Sequence, residues 1–375
     1  MKASHRIRSP VDSANVLLSA PISWLPNSPM NPTETSPRQI RRRTLIRAGL
    51  TAAGGAFLVG CGTKALSVSG LDRFSGDLSN PRGISFDSEG RLLVAEAGYG
   101  TGEERTGRIS RIDPSGAKEI LIDNLPYGFD PEGENVGVTA VLARDDEILV
   151  LMGQGQGDPF QRVIVLKPGL PLHEFNDLGV LLGTTVDILA IRNPFDMAFA
   201  PDGWLWVVDS ETNDILMISP NGRRRERVVN VANSLGVDQV PAGIAFGPDG
   251  RAYVAMFTRR PHIRRSAWVA AIDRQGSIER VMLGLTMAID VAFDSRGRLH
   301  ALEFSQDFDL NLPSLYDPIG GRIVRGRGWR TEVIAHSLPF PTSMAFGPDG
   351  YCHVALNGAF GTRGAGWIGR FSPPE

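Results

Sequence analysis

The chain is short of the features that mark most enzyme and membrane-protein classes. It has two cysteines among 375 residues, Cys61 and Cys352, which excludes a disulfide framework and a paired-cysteine metal site. It contains no GxSxG, HExxH or P-loop motif. Its one leader-like apolar run, 48–60, is shorter than the ~20 residues that cross a bilayer. Helical periodicity of useful length is also missing, which argues against a parallel α/β fold.

One pattern does recur along the chain: an apolar run, a turn of the Pro-Asp-Gly type, and a second apolar run. Such a unit predicts a β-hairpin, and the turn glycine supplies the positive φ that the turn needs. A third strand follows each copy, and a fourth follows copies one, three, four and five. Six repeats of this kind predict an all-β, six-bladed β-propeller. The six turn positions are Gly90, Asp146, Gly203, Gly250, Gly297 and Gly350.

The last copy stops after its third strand, which ends at Phe371. The segment 65–74 has a strand pattern but no hairpin partner of its own. We therefore expect it to supply the fourth strand of the last blade and to close the ring, so that no open edge remains. The propeller then spans 65–375.

Residues 1–60 do not follow the repeat. Arg42 and Arg43 belong to a twin-arginine-like motif, and residues 58–61 resemble a bacterial lipobox that ends at Cys61. The order of these signals predicts a cleaved leader, with Met30 as a possible true start, and a lipid on Cys61 followed by a short tether, 61–64. The expected location is extracytoplasmic, as a bacterial membrane-anchored lipoprotein. The alternative is a basic tail followed by an unrelated cysteine.

Charge narrows the class of partner. Removal of the eight basic and two acidic residues of 1–60 leaves 31 basic and 39 acidic residues, a net charge of about −8. This balance argues against nucleic acid, and against an anionic membrane surface as the main partner. The membrane contact is expected to come from the lipid on Cys61.

Loops of unequal length gather on one face of the predicted ring, and one-sided elaboration is typical of a binding face. Two sets of acids point there. Glu96, Asp209 and Glu303 end the second strands of blades one, three and five, while Asp196 and Asp290 begin the inner strands of blades three and five. Carboxylates near one axis predict a candidate Ca²⁺ site in the channel. The competing interpretation of the first set is hydrogen bonding inside each blade.

Arg259 and Arg260 lie in a long loop of the same face and are candidates to bind an anionic ligand. Both a small molecule and a protein fit these features as the ligand.

The repeat resembles NHL and SMP-30-like propeller repeats, and the segments 80–98, 193–199, 208–218, 240–250 and 356–371 resemble the ScyD/ScyE family. The resemblance covers about 65–375. It implies a propeller that binds a ligand or partner on its long-loop face. The alternative that it implies is a Ca²⁺-dependent, gluconolactonase-like hydrolase of the SMP-30 type. Pro81-Arg82-Gly83 stands where that type has Glu-Gly-Pro.

Overall fold

The computed structural model describes residues 65–100, 105–129, 135–145, 147–155, 160–166, 192–235, 239–309 and 316–375. It confirms the six-bladed β-propeller. Blade one contains Pro81–Phe86, Leu92–Glu96, Gly107–Ile112 and Lys118–Leu125. Blade two contains Val138–Arg144, Glu147–Met152 and Arg162–Leu166. Blade three contains Pro194–Phe199, Leu205–Asp209, Asp214–Ile218 and Arg225–Asn230.

The second half of the ring follows the same order. Blade four contains Pro241–Phe246, Ala252–Met256, Ala267–Ile272 and Ile278–Leu285. Blade five contains Ala288–Phe293, Leu299–Glu303, Gly321–Arg327 and Arg330–Leu338. Blade six contains Ser343–Phe346, Cys352–Leu356, Gly366–Phe371 and, from the start of the chain, Asp72–Leu78.

The turn chemistry explains why the hairpins recur. The glycine of the first turn adopts a left-handed backbone in five blades, with φ between 72° and 81° at Gly90, Gly203, Gly250, Gly297 and Gly350. A residue with a Cβ is strained there. In blade two the predicted position, Asp146, lies outside the described residues, and its neighbour Asp145 has φ 50°.

The second strand of each blade forms the centre of the packing. In blades one, three, four, five and six, all five residues of this strand are buried. Both faces of the strand are covered because each blade lies between two neighbours. This explains why these strands are continuous apolar runs rather than alternating ones.

Ring closure occurs as predicted, but the closing strand is displaced along the chain. Asp72–Leu78 pairs antiparallel with Gly366–Phe371 and completes blade six. The first part of the expected segment, Leu66–Ser67, instead adds a parallel outer strand to blade five, beside Ala335 and His336. A 3₁₀ turn, Val68–Gly70, separates the two strands. Hence the start of the propeller joins two blades, not one.

Only short elements lie outside the blades in the described parts of the chain. A helix, Val231–Leu235, follows blade three, and a two-stranded ladder, Gly128–Phe129 with Asn135–Val136, lies between blades one and two. None of the helices that the structure describes has the length and apolarity to span a membrane. The predictions for 1–60, Cys61 and 61–64 concern residues outside the described ranges. Most of the linker after blade two also lies outside them.

Candidate functional site

The acids that end the second strands are engaged within their own blades. Glu96 accepts hydrogen bonds from the Ser79 amide at 2.6 Å and the Ser110 hydroxyl at 2.5 Å, and forms an ion pair with Arg108 at 2.9 Å. Glu303 accepts from the Thr286 amide and pairs with Arg322.

Asp209 accepts from the amides of Arg192 at 2.8 Å and Asn193 at 3.1 Å. In all three blades the carboxylate thus binds the segment that leads into its own blade. The geometry is that of an internal clamp.

Asp196 and Asp290 make a different contact, because each joins its blade to the next one. Asp196 accepts from the amides of Met197 and, across the blade boundary, Ile244, both at 2.8 Å. Asp290 accepts from its neighbour Val291 and, across the boundary to blade six, Met344, both at 2.7 Å. The two aspartates are therefore inter-blade latches at the channel.

The latch continues through blade six. The Ser343 side chain hydrogen-bonds the Asp290 carboxylate, and its hydroxyl accepts the Ile84 amide of blade one at 3.3 Å. Gly243, the equivalent residue in blade four, leaves room for the aspartate, since a Cβ there would lie 2.3 Å from Asp290 Oδ1. At this position of the repeat, the glycine of blade four therefore provides the space that the aspartate of blade five occupies.

The environment disfavours charge on both aspartates. Burial raises the pKa of Asp290 to about 7. Burial, together with repulsion from Asp290, raises the pKa of Asp196 well above its usual value. Burial outweighs the backbone hydrogen bonds that favour each carboxylate. The pair consequently holds protons at pH values where an exposed aspartate has none.

The pair does not make a complete hard-cation site within the described residues. Ca²⁺ takes six to eight oxygen ligands, and each of the four carboxylate oxygens already accepts one amide. No three His, Cys, Asp or Glu side chains of the described ranges come together as a metal-binding group. The structure therefore does not bring Glu96, Asp209 and Glu303 to Asp196 and Asp290 as one cluster.

A cavity of about 450 Å³ opens on the long-loop face over blades three to five. Two positions of the repeat build it. The first is the residue before the inner-strand aspartate or glycine, and the second is the residue that follows the second strand. The lining residues from these positions are Phe195, Ala242, Ile289, Ser210, Phe257 and Phe304.

A β-bulge explains why the first of these positions faces the cavity. The pairing between inner and second strands shifts between Pro194 and Asp196, and again between Ala288 and Asp290, so that Phe195 and Ile289 are the extra residues. A bulge bends the strand and redirects a side chain, and bulges are common beside functional sites.

The loop after blade four's second strand covers this cavity, and its anchor is His262. The His262 ring is 6% exposed and lies edge-on to Phe257 and Phe308, with centroids 5.1 and 5.2 Å away. Its Nδ1 lies 3.0 Å from the Thr258 carbonyl, and its Nε2 lies 3.4 Å from the Tyr316 hydroxyl. Because a carbonyl oxygen only accepts, Nδ1 is the donor to Thr258, and the ring is held between this carbonyl and the Tyr316 hydroxyl.

Thr258 is the most informative polar group of the cavity lining. It is 8% exposed, and its hydroxyl has no hydrogen-bond partner among the described residues. Its backbone has φ 79°, a region that a β-branched residue avoids. A buried unsatisfied hydroxyl on a strained backbone costs on the order of 1–3 kcal/mol for each feature. Such a combination is typical of a site that is completed by a ligand or water.

The cavity contains two of the four ligand-binding candidates that the sequence predicts. Arg259 and Arg260 line it, together with the acidic residue Glu211. The Arg260 guanidinium lies over the Phe308 ring at 5.6 Å. Asp196 and Asp290 do not line the cavity, although Phe195 and Ile289 directly before them do.

His262, Thr258 and the aromatic residues Phe195, Phe257 and Phe304 of the cavity were not predicted from the sequence. The aligned repeats could have indicated two of the aromatic residues, because Phe257 and Phe304 occupy the same position after the second strand. His262 and Thr258 lie in the loop after the second strand, and the sequence of this loop differs from blade to blade, so an alignment of the repeats does not mark them.

No family model and no curated protein matches this chain. Similar solved structures include a putative oxidoreductase (glucose dehydrogenase) from Thermus thermophilus, with 16% identity over 80% of this chain and 99% of that chain and a TM-score of 0.51. Another is the calcium-binding protein regucalcin from Agrobacterium tumefaciens, with 15% identity, coverage of 83% and 96%, and a TM-score of 0.50. A putative gluconolactonase is 13% identical, with coverage of 81% and 93% and a TM-score of 0.46. At these identities the likeness establishes the shared fold alone.

Proposed function

We propose that this chain is a binding propeller that takes a small organic anion into the cavity over blades three to five. Thr258 lines the cavity and its buried hydroxyl has no hydrogen-bond partner among the described residues, which is the observation that carries the proposal. A volume of about 450 Å³ is within the range of small-molecule sites. Arg259 and Arg260, together with an aromatic wall of Phe195, Phe257 and Phe304, fit a ligand that has a charged part and a planar apolar part.

The charge of the lining supports an anion. Among the described residues that line the cavity, the charged side chains are Arg259, Arg260 and Glu211, an excess of one positive charge. Arginine binds carboxylates through a planar, bidentate geometry. The aromatic rings Phe195, Phe257 and Phe304 offer faces and edges for stacking.

The test compares each probe anion with its neutral counterpart of the same shape. Benzoate and indole-3-acetate are titrated against benzamide and indole-3-acetamide by isothermal calorimetry. We expect binding of at least one anion, with a preference of roughly tenfold or more over its amide, since a charged hydrogen bond contributes about 1.5–3 kcal/mol.

Two variants assign that binding to the cavity. Arg259→Ala/Arg260→Ala is expected to abolish the preference for the anion, and Thr258→Val is expected to weaken binding without removing the preference. Arg223→Ala/Arg224→Ala, in an exposed turn of blade three, changes the net charge equally and serves as the control. Equal loss in the control, or no binding by any probe, would contradict the proposal.

We also propose that the protein is an exported lipoprotein of the ScyD/ScyE kind, anchored through Cys61. The support is the order of the twin-arginine-like motif, apolar run and lipobox-like segment in 1–61. The first described strand, Leu66–Ser67, lies at the outer edge of blade five, and its residues are not part of the cavity lining.

A Ca²⁺-dependent, gluconolactonase-like hydrolase is the second candidate. The observation that favours it is the pair Asp196 and Asp290, whose mutual repulsion a cation would relieve. It ranks second because the described residues supply two carboxylates, each already bonded to backbone amides.

A further inference from the structure

A basic and aromatic tip lies at the outer rim of blade five, away from the ligand cavity. It is the turn between the third and fourth strands, Gly321–Arg327 and Arg330–Leu338, and its exposed members are Arg327, Trp329 and Arg330. Trp329 is 65% exposed, more than any other aromatic residue in the described ranges. We name these three residues the rim tip.

Backbone contacts to blade four hold the rim tip in place. The Gly328 amide donates to the Val281 carbonyl at 2.7 Å, and the Leu283 amide donates to the Gly328 carbonyl at 2.8 Å. The Trp329 ring lies against Gly284, where a Cβ would come within 2.8 Å of the ring. Trp329 is therefore held in an exposed position on a fixed backbone, and burial in its own fold does not explain it.

Positive charge surrounds this tryptophan. Asp294 pairs with Arg298, and Glu332 pairs with Arg325, so these acids are already neutralised. Arg327 and Arg330 form no ion pair with any residue that the structure describes.

The loop of blade four extends the same surface. The Arg265 guanidinium and the Trp329 ring both approach Gly284, and Ile263, two residues before Arg265, is 69% exposed. A tryptophan and an isoleucine with cationic neighbours match the composition of side chains that lie at a bilayer interface. The mature chain as a whole is acidic, with a net charge of about −8, so attraction to an anionic surface requires such a local basic patch.

The described part of the chain begins beside the strand that carries this patch. Leu66 pairs with Ala335 in a parallel ladder, and Ala335 lies five residues after Arg330, which reach at most roughly 17 Å. Leu66 itself follows Cys61 by only five residues of sequence, so the proposed acylation site is close along the chain to the strand that carries the rim tip.

We propose that the rim tip, with Arg265 and Ile263, is a docking surface for the anionic phospholipid headgroups of a bilayer. The surface orients the propeller beside its lipid anchor. Its cellular setting rests on the acylation of Cys61 proposed above, whereas binding of the surface to lipid does not.

The test uses the mature chain 61–375 with Cys61→Ser, which removes the acyl chain. This range forms one compact unit, and it leaves out the eight basic residues of 1–60 that bind anionic vesicles themselves. Co-sedimentation is measured with vesicles of phosphatidylcholine alone and with added phosphatidylglycerol, at low and high salt. We expect binding that requires phosphatidylglycerol and falls with salt.

Matched variants assign this binding to the rim tip. Arg327→Ala/Arg330→Ala should weaken partitioning roughly thirtyfold, about fivefold for each arginine, while Arg223→Ala/Arg224→Ala should leave it unchanged. Brominated acyl chains should quench tryptophan emission of the parent protein, and Trp329→Phe should remove most of that quenching. Melting curves check that each exposed substitution leaves the fold intact.

Three results would overturn the proposal: no binding to phosphatidylglycerol vesicles, equal loss in both double-arginine variants, or quenching that Trp329→Phe does not change. Mass spectrometry of the exported protein tests Cys61 acylation separately. An unacylated Cys61 together with vesicle binding would remove the anchor and keep the docking surface.

Discussion

At the residue scale, Asp196 and Asp290 show that two carboxylates near the propeller axis can connect neighbouring blades by hydrogen bonds instead of binding a ligand. Each one accepts the amide of the next blade, and Gly243 provides the space that Asp290 needs. The sequence located both aspartates correctly at the starts of the inner strands. The sequence did not predict their hydrogen bonds to the next blade. The partners are backbone amides of other repeats, and a backbone amide is present whatever the side chain.

Asp290 should make the stability of the fold depend on pH near neutrality. Its pKa in the folded state is about 7, against the ordinary aspartate pKa of 3.8, so the folded state binds more protons than the unfolded state between these pH values. Stability from this group is fully present below about pH 4 and is lost as the pH rises through about 7, by up to about 4 kcal/mol. We expect the free energy of unfolding to fall from about pH 5 to 8 more steeply in the wild type than in Asp290→Asn, as measured by urea denaturation.

Asp294→Asn is the control for that measurement. Burial raises the pKa of Asp294, but hydrogen bonds from Arg298 outweigh it and hold the pKa below the usual value. The stability from Asp294 is therefore lost only as the pH falls through its lowered pKa, and its variant should run parallel to the wild type from about pH 5 to 8. Parallel curves for Asp290→Asn would refute the latch as the titrating group.

At the scale of the element, the hairpins were predictable because their signal is local. A turn glycine between two apolar runs marks the first two strands of a blade, as Gly350 does between Ser343–Phe346 and Cys352–Leu356. The closing segment was displaced in the prediction because its partner lies at the other end of the chain. Neither Leu66–Ser67 nor Asp72–Leu78 has a long apolar run, and only tertiary pairing shows which of them closes blade six.

The two N-terminal strands should contribute unequally to stability. Leu78, in the strand that closes blade six, is fully buried, whereas Leu66, in the added strand of blade five, is half-buried. Leu78→Ala should therefore cost about 2–5 kcal/mol of unfolding free energy, and Leu66→Ala should cost under about 1 kcal/mol. Chemical denaturation of the mature chain measures both, and equal losses would mean that Asp72–Leu78 does not close the ring in solution.

At the scale of the whole molecule, six repeats determined the architecture and the uneven loops indicated the binding face. The cavity over blades three to five lies on that face and contains Arg259 and Arg260. The loop that carries Thr258 and His262 shapes it, and the sequence of this loop is not repeated in the other blades. The fold was thus readable from periodicity, whereas the site depends on the departures from it.

Calcium distinguishes the two candidate functions through the melting of the whole ring. A cation that binds only the folded state raises the melting temperature by mass action. Since Asp196 and Asp290 already accept four backbone amides, and burial with mutual repulsion favours their protonated forms, we expect the same melting curve in calcium and in EDTA. Scanning calorimetry of the mature chain at neutral pH measures this. A rise with calcium that Asp196→Asn/Asp290→Asn removes, and that Glu96→Gln keeps in part, would establish the channel as a metal site and favour the hydrolase over the binding propeller.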